Sequence, residues 1–222
     1  MDNIILIGMP GSGKSTVGVV LAKALGLRFV DVDLLIQERE GALLQELIDS
    51  RGVERFLDLE RDAICSLDCR GTVVAPGGSC VCREESIAHM RQLGTVVYLQ
   101  LSFEDVSRRI HNMASRGIAL SPGQTLADVY RYRAPLYERC AHITVPVRGQ
   151  SLAETVEEVR SRCEQPLGRE AAIGLSRAER GPRRGWSAAR PSAGAQCAPE
   201  TRSSRSEAAR CEQAQHDNIK RT

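Results

Sequence analysis

No apolar run in this 222-residue chain approaches the roughly 18 residues that a membrane-crossing helix needs, so no membrane partner is expected. An export signal is missing too: after Met1, Asp2 and Asn3 the apolar stretch ends at Ile7, before Gly8, and has no basic flank. A cytoplasmic protein is the expectation. Charge of one sign is also lacking. The net formal charge is +2, which favours neither a nucleic-acid binder nor an acidic scaffold. Eight cysteines are present, but Cys65 with Cys69 and Cys80 with Cys82 lack a second pair, or a histidine, at zinc-finger spacing. They read as free small hydrophobes in a reducing compartment, with Cys80 and Cys82 close enough to the candidate site to leave thiol sensitivity open. No internal repeat is visible.

The 42% hydrophobic and 26% charged residues suit one α/β domain plus a remainder. Residues 166–222 carry eleven basic and six acidic side chains, but only Leu167, Ile173, Leu175, Trp186 and Ile219 as large apolar residues. That is too little apolar surface to offset the entropy of ordering a chain, so 166–222 is expected to be a basic, disordered tail. Residues 1–165 form the expected domain, and a monomer is the default expectation for it.

Short, almost continuously apolar runs at Asn3 to Ile7, Arg28 to Val32, Thr72 to Ala75, Thr95 to Leu99 and Ile143 to Val145 predict strands covered on both faces. Helical periodicity fills the intervals: 14–25, a pair covering 34–48 and 53–67, then 84–93, 103–111, 126–139 and 152–163. Regular alternation of strand and helix predicts an α/β fold with a parallel sheet and right-handed crossovers. The stretch 112–124, with Gly117, Pro122 and Gly123, reads as a mobile loop.

Directly after the first strand stands Gly8-Met9-Pro10-Gly11-Ser12-Gly13-Lys14-Ser15-Thr16, a match to the G-x-x-x-x-G-K-[ST] phosphate loop in a chain with only three lysines. Glycines let the backbone curl so that successive N–H groups and the helix N-terminus face the phosphates of ATP. Gly11, Ser12, Gly13, Lys14, Ser15 and Thr16 are therefore the candidate ATP-binding residues. Lys14 adds a point charge at the transferring phosphate, and Ser15 offers an oxygen to Mg²⁺.

At the end of the second predicted strand, Asp31-Val32-Asp33 places two carboxylates where alternation would aim them the same way, at the sheet edge that binds ligands in α/β proteins. One carboxylate suits Mg²⁺ or its waters; the other can orient or deprotonate an acceptor hydroxyl. A helix cap at Asp33 is the bland alternative.

Taken in order, the phosphate loop, Phe29-Val30-Asp31-Val32-Asp33, Phe56-Leu57-Asp58-Leu59-Glu60, Pro76-Gly77-Gly78-Ser79, Arg116 and Arg133-Ala134-Pro135-Leu136-Tyr137 resemble the shikimate kinase family over residues 1 to about 163. The resemblance implies a three-layer P-loop fold with a five-stranded parallel sheet, a small acceptor-binding helical region and an ATP lid. It implies transfer of the γ-phosphoryl of ATP, with Mg²⁺, to the 3-hydroxyl of shikimate on the way to chorismate. By the same resemblance Asp31 lies on the Mg²⁺ side and Asp33 grips the acceptor hydroxyls. Gly77 and Gly78 face the acceptor, Arg116 closes over the phosphate and Arg133 clamps the acceptor carboxylate.

Two positions depart from that pattern. Leu57 stands where the family has an arginine for the shikimate carboxylate, and Arg55 sits about 100° away on a helix. Ser79 replaces a third glycine. A pocket with one cation fewer binds a carboxylate less tightly or recognises something else. A kinase for another acceptor, such as gluconate or homoserine, and a non-catalytic ATP-binding module that docks to a partner stay open as alternatives.

Overall fold

A computed structural model describes residues 2–110, 119 and 123–164. Arg116, most of the predicted loop at 112–124 and the whole of 166–222 lie outside the described residues. In chain order the elements are β1 (Asn3–Ile7), α1 (Lys14–Leu25), β2 (Arg28–Asp31), α2 (Val32–Glu40), α3 (Leu44–Arg51), α4 (Val53–Cys65), β3 (Thr72–Ala75), α5 (Glu84–Leu93), β4 (Gly94–Gln100), α6 (Phe103–Arg109), α7 (Leu126–Cys140), β5 (Ile143–Pro146) and α8 (Leu152–Glu164).

The five strands form one sheet in the order β2-β3-β1-β4-β5, and every neighbouring pair is parallel. β1 is central, pairing with β3 on one side and β4 on the other, and all five of its residues are buried. This is the sheet that the uninterrupted apolar runs predict: strands covered on both faces have no polar alternation to show. Parallel pairing also sends the loops after β1, β2 and β3 to one edge, the carboxyl edge, where the phosphate loop, Asp31–Asp33 and Gly77–Ser79 meet.

Two local expectations are corrected. The periodicity over 34–48 reads as one helix, but the chain forms two, α2 and α3, because Gly41 adopts a left-handed φ of 65° and its N–H closes α2 on the Gln37 carbonyl. Strand alternation does not orient Asp31 and Asp33. β2 stops at Asp31, whose Oδ1 accepts from the backbone N–H groups of Asp33 and Leu34 and so caps α2, leaving Asp33 in the first helical turn. The cap is Asp31, not Asp33.

Helix α4 buries Phe56, Leu57, Glu60, Ala63 and Ile64, a stripe with helical spacing that carries one carboxyl. Arg83, just before α5, bonds Glu54 and Asp58 and ties α4 to that turn. Among the described residues, six cysteines are free thiols, as expected.

Candidate active site

The phosphate loop begins where β1 ends. Gly13 sits at the N-terminus of α1 with φ of 94°, a left-handed conformation suited to glycine, and no side chain caps the helix. The first N–H groups of α1 are therefore left without a side-chain cap at the cavity, which is the geometry of an anion site. Lys14 is buried and folds back over the loop, its Nζ donating to the carbonyl oxygens of Gly8 (2.9 Å) and Met9 (3.2 Å). Burial lowers its pKa, while Cys80, Asp33, Glu60 and Asp31 oppose that shift.

A cavity of about 360 Å³ opens in front of this loop. Gly11, Gly13, Lys14, Ser15 and Thr16 line one end of it; Asp33, Gly77, Gly78 and Arg133 line the rest. Nine of the sequence-predicted residues thus share one space. Ser12 does not line it: the residue is buried beneath the loop, with its N–H on the Met9 carbonyl. Asp31 is also absent from the lining, since it is engaged as the cap of α2. The expected lid arginine, Arg116, lies outside the described residues.

Gly77 and Gly78 are required by close approach. A Cβ on Gly77 would overlap Glu60 Oε1 and come within 2.6 Å of Asp33 Oδ1; one on Gly78 would meet the Pro10 ring at 2.8 Å. The turn after β3 is thereby wedged between the phosphate loop, α2 and α4. Tyr137 on α7 fixes it from behind, its hydroxyl donating to the Gly78 carbonyl.

Arg133, which the resemblance assigns to the acceptor carboxylate, is only 4% exposed. Its Nη2 donates to the carbonyl of Ala119 at 2.9 Å, holding the guanidinium against the cavity wall. Asp33 is pushed up to about 6, chiefly by burial, with Lys14 opposing and Asp31 adding to the rise. A carboxyl near that value can exchange a proton close to neutral pH.

Pro10, Phe56, Glu60, Ser79 and Ala119 also line the cavity, and the sequence assigned none of them a role in the site. Glu60 is 1% exposed, and its Oε2 accepts from Ser79 Oγ at 2.5 Å. Its pKa rises to about 7 through burial and the neighbouring Asp33, against the hydrogen bond from Ser79 and the charges of Arg133 and Lys14. The signal for Glu60 was the apolar stripe of α4, in which a glutamate is out of place. Arg109 on α6 is a further addition, with Nη1 donating to the Gly11 carbonyl at 3.4 Å.

Leu57, one of the two departures, is 8% exposed and faces a second cavity of about 220 Å³, lined also by Val53, Cys82, Arg83, Val129 and Arg133. Arg133 is shared by the two cavities. Burial pushes the Cys80 thiol well up and the Cys82 thiol up, so both favour the protonated form.

A family model described as shikimate kinase matches residues 10–164. The chain is 39% identical over 168 residues to the shikimate kinase of Paracidovorax citrulli (strain AAC00-1), spanning 73% of this chain and 92% of that protein. It is 34% identical over 163 residues to the shikimate kinase of Sulfurihydrogenibium sp. (strain YO3AOP1), spanning 73% and 98%. Among solved structures, shikimate kinase from Acinetobacter baumannii in complex with shikimate superimposes with a TM-score of 0.69 at 28% identity, covering 73% of this chain and 93% of that one. Shikimate kinase from Aquifex aeolicus gives 0.65 at 30% identity, covering 73% and 96%.

Proposed function

The chain belongs to the shikimate kinase family, and from that premise we propose that it transfers the γ-phosphoryl group of ATP to the 3-hydroxyl of shikimate. The observation that carries the reading is the single cavity in which the phosphate loop, Asp33 and Arg133 converge. A module that only held ATP would have no use for a buried arginine and a carboxyl beyond the phosphates.

In this reading the N–H groups at the start of α1 and Lys14 hold the β- and γ-phosphates. Asp33 holds the acceptor hydroxyl and takes its proton as the bond to phosphorus forms. Arg133, fixed by Ala119, binds the acceptor carboxylate. Gly77 and Gly78 bring backbone close to the acceptor, and Arg116 closes over the transferring phosphate. Phosphoryl transfer asks for this positioning and charge stabilisation, with water excluded, rather than for a covalent nucleophile.

The donor set fits Mg²⁺. Ser15 presents a hard hydroxyl oxygen at the cavity, and Asp31 would act through waters that the cation retains, since its Oδ1 caps α2. Bound there, the cation would supply positive charge against the negative charge that develops during transfer. No helix among the described residues is long and apolar enough to cross a membrane.

The test is ADP release by the purified chain with shikimate, gluconate and homoserine as acceptors. Turnover of shikimate is expected. Leu57 favours the competing reading, a different acceptor, and turnover of gluconate or homoserine without shikimate would establish it.

A further inference from the structure

Val96 on β4 is fully buried, and both its N–H and its carbonyl are turned toward β5. A parallel ladder satisfies such a pair from one strand. Here the carbonyl accepts from the N–H of His142 at 2.8 Å, and the regular acceptor for the Val96 N–H is the carbonyl two residues earlier, that of Cys140. That carbonyl is already taken. Cys140 is the last residue of α7, and its oxygen accepts from Arg91 Nη1 of α5 at 2.9 Å. A side chain fills the place instead: His142 Nδ1 accepts from the Val96 N–H at 3.0 Å. One residue thus closes both main-chain bonds of Val96, at the point where helix gives way to strand.

This contact fixes the state of the imidazole. Nδ1 must be bare to accept, so the neutral ring carries its proton on Nε2. A protonated ring would set N–H against N–H and leave a buried amide without an acceptor. Arg91 of α5 is the charged group that acts on the ring, and together with burial it lowers the pKa of His142. The other ionisable groups at this junction are engaged elsewhere or neutral. Arg139 of α7 pairs with Glu84 of α5, and Arg162 of α8 pairs with Glu158 and donates to the Thr144 carbonyl. Burial pushes the Cys140 thiol up to about 11 and raises Tyr98 of β4 as well, so both stay protonated.

Helix α7 depends on being seated from outside. Pro135 stands within it and has no N–H, so a main-chain bond is missing in the stretch that joins Arg133 to Tyr137. Its C-terminal half is held by the Tyr137 hydroxyl on Gly78, by Arg91 on the carbonyls of Arg139 and Cys140, and by His142 on β4. We propose that His142 is a positioning residue: as the neutral Nε2–H tautomer it seats the end of α7 on the sheet and so keeps Tyr137 against the turn after β3 and Arg133 at the cavity, and protonation of the ring weakens acceptor binding while sparing the nucleotide end. The proposal rests on the reading of this cavity as the acceptor site and adds to it a residue that lines no part of it. The folded-state pKa of His142 lies below the ordinary 6.5, so its stabilisation is fully present above about pH 6.5 and lost as pH falls. That direction is opposite to the one set by Asp33 and Glu60.

The experiment compares the unaltered chain with His142→Asn, whose Oδ1 can accept near the position of Nδ1 without titrating, and with His142→Ala, which has no acceptor. Long-range proton–nitrogen NMR of the unaltered chain should show His142 as the Nε2–H tautomer at pH 8. At that pH, His142→Ala should melt several degrees lower and raise the KM for shikimate about threefold to tenfold, with the KM for ATP unchanged. His142→Asn should restore both. Between pH 8 and pH 5 the shikimate KM should rise more in the unaltered chain than in His142→Asn, a difference from which Asp33 and Glu60 cancel because both proteins carry them. An Nδ1–H tautomer, an unchanged shikimate KM in folded His142→Ala, or parallel acid profiles in the unaltered chain and His142→Asn overturns the proposal alone. Absence of shikimate turnover by the unaltered chain overturns the substrate reading and the claim on acceptor binding with it, while the tautomer and the melts still decide whether His142 seats α7.

Discussion

Tyr137 Oη donates to the carbonyl of Gly78 from the same helical face that carries Arg133, four residues earlier on α7. Arg133 and the turn after β3 are thus held by one helix, and Tyr137 is itself stacked on Tyr98 of the central sheet at 5.2 Å. Tyr137→Phe removes only the hydroxyl and leaves a buried carbonyl unpaired, a cost of about 1–3 kcal/mol. The melting temperature should fall by several degrees and the KM for shikimate should rise, with that for ATP unchanged. Thermal unfolding beside steady-state kinetics checks both, and an unaltered acceptor KM would separate Tyr137 from the site.

Lys14→Ala should leave the fold intact and abolish most transfer. Nζ bonds the two buried carbonyls of Gly8 and Met9, so some stability is lost with it while the sheet remains; in the proposed reading the γ-phosphate in the transition state depends on the same amine. A loss of about a hundredfold to a thousandfold or more in kcat is expected. Full ADP release by a folded Lys14→Ala protein would remove Lys14 from the machinery.

Asp33 and Glu60 make stability fall with rising pH. Their folded-state values of about 6 and about 7 lie above the unfolded values of 3.8 and 4.5. The folded chain therefore holds these protons more tightly, and the stabilisation is fully present below about pH 4 and lost as pH rises through 6 to 7. Urea midpoints at pH 5 and pH 8 should show a smaller decline for Glu60→Gln than for the unaltered chain. A parallel decline in both would show that Glu60 is already ionised at pH 5. Activity should run the other way, rising through about pH 6 as Asp33 becomes able to accept the acceptor proton.

Most of the sheet was legible because β1 and β3 are unbroken apolar runs ended by glycine or proline, and the phosphate loop because local spacing alone defines it. What escaped was set by distant contacts. Gly41 sits in a pattern that stays helical in period on both sides, so the break between α2 and α3 has only one residue to announce it. The function of Asp31 as a cap is decided by where β2 stops pairing with β3, at Ala75. Glu60 is buried and bonded by Ser79 from the turn after β3, a contact that no local spacing on α4 announces.

A chain truncated after Gln165 should keep its cooperative melt and its turnover. The family match ends at residue 164, and the composition beyond offers almost nothing to bury. A large loss in either measurement would move the domain boundary into the tail.

The final prediction concerns Leu57. It shares a cavity of about 220 Å³ with Arg133, and that space, lined by Val53 and Val129 as well, can receive a longer side chain from α4. If the acceptor is shikimate and Arg133 alone holds its carboxylate, Leu57→Arg adds a charge-assisted pair of roughly 1.5–3 kcal/mol. That is at most about 10- to 150-fold in the shikimate KM, with the ATP KM unchanged because the phosphate loop is a separate part of the cavity. Glu60, one turn along the same helix, would also gain a cation and titrate at lower pH. If Leu57 is instead an apolar wall fitted to another acceptor, the same change buries an unpaired charge and lowers activity toward that acceptor. Shikimate KM measured for both proteins decides between the two: a lower value in Leu57→Arg supports the shikimate reading, and no shikimate turnover by either form points to a different substrate.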